Sequence, residues 1–181
     1  AAADAAAASA GAAAPELKVP GDVERAKKLI HTVATGEAPL MRAARLALAR
    51  ADEKLLLEAA LAVLFDGDAK VRIAAVRILG SLGDESALRP LIFSGARDKD
   101  AGVRREALLA AASFGHDDTA VPYSKAVGSK NLRLAANAAE ALALLGDERS
   151  AGYIVKRLRS HGSSTRNVVS FLNQVSYVRD Y

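Results

Sequence analysis

No cysteine and no tryptophan occur in these 181 residues, methionine appears once, and aromatic residues make up only 4%. Without thiols there can be no disulfide and no thiolate metal site, although the redox compartment stays open. Proline is confined to five positions, and no apolar stretch approaches the roughly 20 residues that a bilayer-spanning helix needs. That excludes a helical membrane span. Yet 51% of the chain is hydrophobic. With so few aromatics and β-branched runs nearly absent, this apolar content is mostly Ala, Leu and Val. It suits close helix-on-helix packing rather than a β-sandwich.

Charge is short over most of the chain and concentrated at one end. The net charge is +4, but Arg149 to Tyr181 holds six basic residues against the single acid Asp180, so residues 1–148 sum to −1. A basic surface suited to nucleic acid is therefore missing over four-fifths of the sequence.

What is present is a repeat. Gly83, Gly115 and Gly146 fall 32 and 31 residues apart, Pro90, Pro122 and Tyr153 keep step, and so do Val71, Val103 and Leu134. Stepping back from Val71 reaches Leu40, which opens LMRAARLALARAD and then EKLLLEAALAVLF. Self-similarity at a period of this size is the signature of a solenoid. Within a unit the apolar positions follow helical spacing: Val71, Ala75, Leu79 and Leu82 share one face, and Leu88, Leu91, Ile92 and Gly95 another. Gly83-Asp84 and Gly146-Asp147 predict a left-handed helix end followed by an acidic helix start. Ala74, Ala75, Ala107, Ala110, Ala111, Ala138, Ala139 and Ala141 let backbones approach closely. One unit alone cannot bury its apolar faces, whereas stacked units form a continuous core.

The phrase V-R-x-x-A-x-x-x-L-G-x-L-G-D followed by A-L-x-P-L-I, met at residues 71–92, resembles the HEAT repeat in its short bacterial, lyase-type form. The likeness is close over 71–99, good over 100–129, fair over 130–160 and 37–66, and poor from 163 onward. It implies an all-α, right-handed solenoid of about four helical pairs. On this division residues 1–20 are an Ala-rich N-terminal arm, 21–162 the solenoid, beginning with a short helix at Asp22, and 163–181 an incomplete last repeat and tail. The family links repeats through an Asp–Arg ladder, which Asp68 with Arg72 and Asp100 with Arg104 fit. The third unit departs from it, with Ala135 in place of the arginine and Arg133 two residues early.

Neither end looks ordinary. AAADAAAASAGAAA precedes Pro15, and the first residue is Ala. Signal-peptide cleavage at a small-residue site gives such a start, as does trimming. The first origin is the one favoured here, and it predicts export to the periplasm or cell surface, with a cytoplasmic protein as the alternative. Val168, Leu172 and Val175 open what reads as another first helix, but no second helix follows. Pro15, Leu172, Val175, Tyr177 and Tyr181 are accordingly expected to contact neighbouring subunits.

Chemistry is hard to find. His31, His116 and His161 stand apart in sequence, and no His-Glu dipeptide of the kind used by iron-holding HEAT-type hydroxylases is present. His116 is expected in an inter-helix loop, His31 on the helix that starts at Asp22, and His161 at a helix end. No nucleophile elbow, phosphate-binding loop or dinucleotide fingerprint occurs. The acid pairs Asp84/Glu85, Asp117/Asp118 and Asp147/Glu148 recur with the repeat, which fits helix capping better than catalysis. No catalytic residue, metal site or cofactor is expected.

The remaining candidate is a surface. The resemblance implies that second helices line a concave side, where Arg89, Phe93, Arg97, Lys125, Tyr153, Lys156, Arg157 and Arg159 would face away from the core. Mixed aromatic and basic residues suit an acidic protein segment. The sequence thus reads as a non-catalytic protein-binding scaffold, a subunit of a larger assembly. Two alternatives rest on the repeat type alone: an enzyme-like helper such as a chromophore lyase subunit, and a nucleic-acid-binding HEAT-like protein.

Overall fold

A computed structural model of the chain describes residues 15–152. Among them eight α-helices and one short 3-10 turn are complete, a further helix begins at Arg149, and there is no strand. The helices are α1 (Val23–Thr35), α2 (Ala38–Leu48), α3 (Glu53–Val63), α4 (Ala69–Leu82), α5 (Leu88–Arg97), α6 (Ala101–Ala112), α7 (His116–Val127) and α8 (Leu132–Leu144), with the 3-10 turn at Glu85–Ala87. They pack in consecutive pairs, within two compact units that divide between Asp84 and Glu85.

In the first unit α1 packs on α2, α3 and α4, and α3 packs on α4. Ala26 and Ile30 of α1, Ala44 of α2, Ala59 and Ala60 of α3 and Val71, Ala75 and Leu79 of α4 are all fully buried. So many alanines at the contacts leave little side chain between helix axes, as the composition demands. In the second unit α5 lies against α6, α7 and α8, and α7 packs on α8. Its core gathers Ala96, Leu108, Ala120, Tyr123, Ala138 and Leu142. Within each unit the closest packing joins α1 to α2, α3 to α4, α5 to α6 and α7 to α8. For the last three pairs this unites the second helix of one sequence repeat with the first helix of the next.

The turns explain that pairing. Asp52, Asp68, Asp100 and Asn131 occupy extended N-cap positions, and their side-chain oxygens accept main-chain N–H groups of Leu55, Lys70, Val103 and both Arg133 and Leu134. Asp22 does the same for Arg25 ahead of α1. Each satisfies a donor that the first helical turn leaves unpaired. Of the acid pairs expected to cap, Asp147 accepts the Arg149 main-chain N–H at 3.0 Å, where the next helix begins, but the middle pair behaves differently. Asp117 and Asp118 already lie inside the first turn of α7, whose N-cap is Gly115, and no side chain caps it. An N-cap oxygen must come from the extended residue before the helix, so these carboxylates complement the helix dipole without capping.

Arg72 and Arg104 hold the same turns from within the helix. Arg72 is buried, and its Nη1 donates to the carbonyls of Asp66 (2.8 Å) and Gly67 (3.2 Å). Arg104 Nη1 donates to the Asp98 carbonyl at 3.2 Å, and its Nη2 lies 3.4 Å from Glu140 Oε2. Ala135, at the third position of this series, is buried. Two residues on, the Asn137 amide donates to the Ala96 carbonyl at 2.8 Å and ties α8 to α5.

Helix ends follow the glycine reading. Gly83 closes α4 at φ 65°, donating its N–H to Leu79, and Gly146 sits at φ 71° after α8. Asp147 N–H then reaches back to the Leu142 carbonyl at 2.8 Å, the wrapped ending that follows a left-handed residue.

Candidate functional site

The second-helix strip can be followed in the second unit. Arg89, Phe93 and Arg97 recur every four residues on α5, so they share one face, and all three are exposed. The Arg97 guanidinium carbon stands 5.2 Å from the centre of the Phe93 ring, within range of a cation–π contact. Beside them lies a depression of about 380 Å³, lined also by Ile92 and Ala96 of α5, by Pro122, Tyr123 and Ala126 of α7, and by Leu134 of α8. Its floor is apolar and its charged edge is purely cationic. Lys125 is exposed on α7 but does not line the depression. Tyr153, Lys156, Arg157 and Arg159 lie outside the described residues, as do Leu172, Val175, Tyr177 and Tyr181. Pro15 is exposed.

Tyr123 sets the shape of that floor. It is fully buried, its hydroxyl lies 3.3 Å from the Ile92 carbonyl, to which it donates, and burial pushes its acidity far below that of an ordinary tyrosine. The phenol is thus a neutral donor at any physiological pH. It can sit there because α5 offers Gly95 at the point of approach.

The first unit holds a larger hollow of about 680 Å³, and this one was not read from the sequence. Its walls are Met41, Arg45, Leu48 and Ala49 from the end of α2, and Lys70, Ile73, Ala74, Arg77, Ile78 and Ser81 from α4; Val33 and Ala34 of α1 and Leu56 of α3 complete it. The α4 positions form one stripe at helical spacing, with apolar residues between the cations. A sequence signal existed: α2 and α4, APLMRAARLAL and AKVRIAAVRILGSL, contain no Asp or Glu. Attention to second helices alone passes over it, because both walls are first helices of repeats.

The titratable groups act as ties between elements. His31, half-buried on α1, places Nε2 3.2 Å from Asp66 Oδ2 in the α3–α4 turn. His116 is the first residue of α7 rather than a loop residue, with Nε2 3.8 Å from Asp147 Oδ2. Asp147 is buried and binds Arg149 through both carboxylate oxygens. That hydrogen-bonded arginine, against the opposing effect of burial, holds its pKa down at about 2. Among the described residues no group of three or more His, Cys, Asp or Glu is placed to hold a metal ion, and no helix is long and apolar enough to cross a membrane.

A family model for HEAT repeats matches residues 53–123 and again residues 90–171. No curated protein matches the chain.

Proposed function

Because the chain belongs to the HEAT-repeat family, we propose that it works as a non-catalytic scaffold, one subunit of a larger assembly, that holds an acidic segment of a partner protein on the second-helix face of its second unit. HEAT repeats serve widely as protein-interaction scaffolds, and the specific reading rests on one observation. Arg89, Phe93 and Arg97 stand in line along an apolar depression, so a single strip offers both burial and positive charge. Large, rigid aromatic and arginine side chains beside a hollow are the residue types that dominate interface energies. Cations at the edge add steering and orientation more than raw affinity.

The test is affinity purification of the full chain beside a variant carrying Arg89→Glu, Phe93→Ala and Arg97→Glu. These side chains are exposed, so helical content should be unchanged. The expected result is that a partner retained by the parent chain is lost from the variant, and that its binding weakens as salt is raised. Equal recovery of the same partners by both proteins would remove this face from the proposal.

A further inference from the structure

We propose that the hollow in the first unit is a docking groove for an acidic amphipathic α-helix of a partner protein, held between α2 and α4. The inference rests on the scaffold reading but concerns a different unit and a different set of helices.

Three observations carry it. The first is charge. Arg45 on one wall and Lys70 on the other are exposed, Arg77 lines the groove beside Lys70, and no carboxylate lines it. Glu37, Asp52, Glu53, Glu58, Asp68 and Asp84 stand within a few residues of lining positions in sequence, but none of them lines the groove, and Asp68 is engaged by the Lys70 main-chain N–H. The second is hydrophobicity. Between those cations the surface is Met41, Leu48, Ile73, Ala74 and Ile78, several of them only half-buried. The third is length. Lys70 to Ser81 spans about 16 Å along α4 at 1.5 Å per residue, which is the length of three turns of a ligand helix.

The occupant's backbone decides between a helix and an extended strand. The groove walls are helices whose own main chain is already hydrogen-bonded, and the Ser81 hydroxyl is committed to the Ile78 carbonyl. An extended peptide would carry its N–H and C=O groups into an apolar trough with nothing to pair them. A helix satisfies them internally and lays an apolar stripe into the trough. The complementary ligand therefore carries a carboxylate on each flank, one for Lys70 on the α4 side and one for Arg45 on the α2 side.

The probe is a synthetic, end-blocked, fluorescein-labelled helix of about 14 residues, with leucines at i, i+4 and i+7 flanked on both sides by glutamates. Fluorescence anisotropy with the full chain should give a Kd on the order of micromolar. A version with lysine for glutamate, and a scrambled version without the apolar stripe, should each bind at least about tenfold more weakly. The double variant Arg45→Glu, Lys70→Glu should lose at least about tenfold, and Ile73→Asp a similar factor. Since Arg45 and Lys70 are exposed, their reversal leaves folding intact even where Ile73→Asp disturbs it. The second-unit variant at Arg89, Phe93 and Arg97 should bind the probe like the parent. The proposal is overturned if the glutamate probe does not bind, if the lysine or scrambled peptide binds equally, or if reversing Arg45 and Lys70 changes nothing. It is also overturned if sedimentation shows self-association that this reversal abolishes, since a second copy would then fill the groove. Loss of probe binding only in the second-unit variant overturns the groove and leaves the scaffold proposal standing. Retained partners in that variant, with groove binding intact, does the reverse.

Discussion

Gly95 of α5 faces the hydroxyl of Tyr123 across the second unit so closely that a β-carbon on Gly95 would overlap the phenol oxygen. The tyrosine has nowhere to retreat, because it is fully buried and its hydroxyl is directed at the Ile92 carbonyl. Gly95→Ala should therefore destabilise the protein, by up to about 2 kcal/mol net. Overpacking of this kind costs about 1–3 kcal/mol, and the better helix propensity of alanine returns only about 1 kcal/mol of it. Tyr123→Phe alone should cost about 0.5–1.5 kcal/mol, but in the Gly95→Ala background it should restore part of the loss by removing the overlapped atom. Urea denaturation of the four proteins measures the coupling, and strictly additive losses would show that the two residues do not meet.

Gly83 poses the opposite situation. Nothing lies within 4 Å of where its β-carbon would be, so space is free and only the left-handed backbone, φ 65°, resists substitution. Gly83→Ala should cost about 1 kcal/mol from that strain alone, and Gly83→Asn distinctly less, because asparagine visits this region more readily. A thermal melt that ranks alanine level with glycine would contradict the left-handed ending of α4.

Capping separates acids that look alike in sequence. Asp100 accepts the Val103 N–H, so Asp100→Ala should cost about 1 kcal/mol. Asp117, inside the first turn of α7, caps nothing and offers its interaction with the helix dipole and an exposed contact with His116 Nδ1 at 3.6 Å, and Asp117→Ala should cost about 0.3 kcal/mol. Chemical denaturation of the two variants side by side tests the assignment, and equal losses would reverse it.

Asp147 predicts an acid limb. Its carboxyl sits at about 2 in the folded protein, against 3.8 ordinarily. A group lowered on folding adds stability that is fully present above the unfolded value and fades as pH falls through the folded one. Asp147→Asn should thus melt below the parent protein above about pH 4, with the gap closing towards pH 2. Melting midpoints across that range decide the matter: a gap of constant width would mean that the Arg149 contact does not depend on the carboxylate charge.

The helices were legible because their signals are local. Period, glycine breaks and apolar spacing place α2 to α8, and Gly83 and Gly146 adopt the left-handed conformation expected of them. The exposure of Arg89, Phe93, Arg97 and Lys125 was legible for the same reason, since a helical face is fixed by spacing. What the pattern did not disclose depends on three-dimensional meeting. The sequence pattern singles out Arg72 but not the main-chain carbonyls of Asp66 and Gly67 to which its Nη1 donates, a target invisible in residue types. The hollow between α2 and α4 needs two first helices to stand apart across α1, and no spacing within one helix reports that. Their lack of acids was on the page, but it acquires meaning only when both line one cavity.

The turns held by Asp68 and Arg72, and by Asp100 and Arg104, bear on how such a chain can grow. The 31–32-residue period starts a new copy just where the polypeptide is most tightly bound to what precedes it, as α3 is to α4 and α5 to α6. The stretch that is copied and the stretch that packs together are out of phase by one helix. A duplicated segment therefore brings its own fastening: the capping aspartate and the loop-holding arginine travel at its front and hold the turn that joins it to what precedes it. A chain built this way can lengthen or shorten by whole copies without a new joint having to be invented.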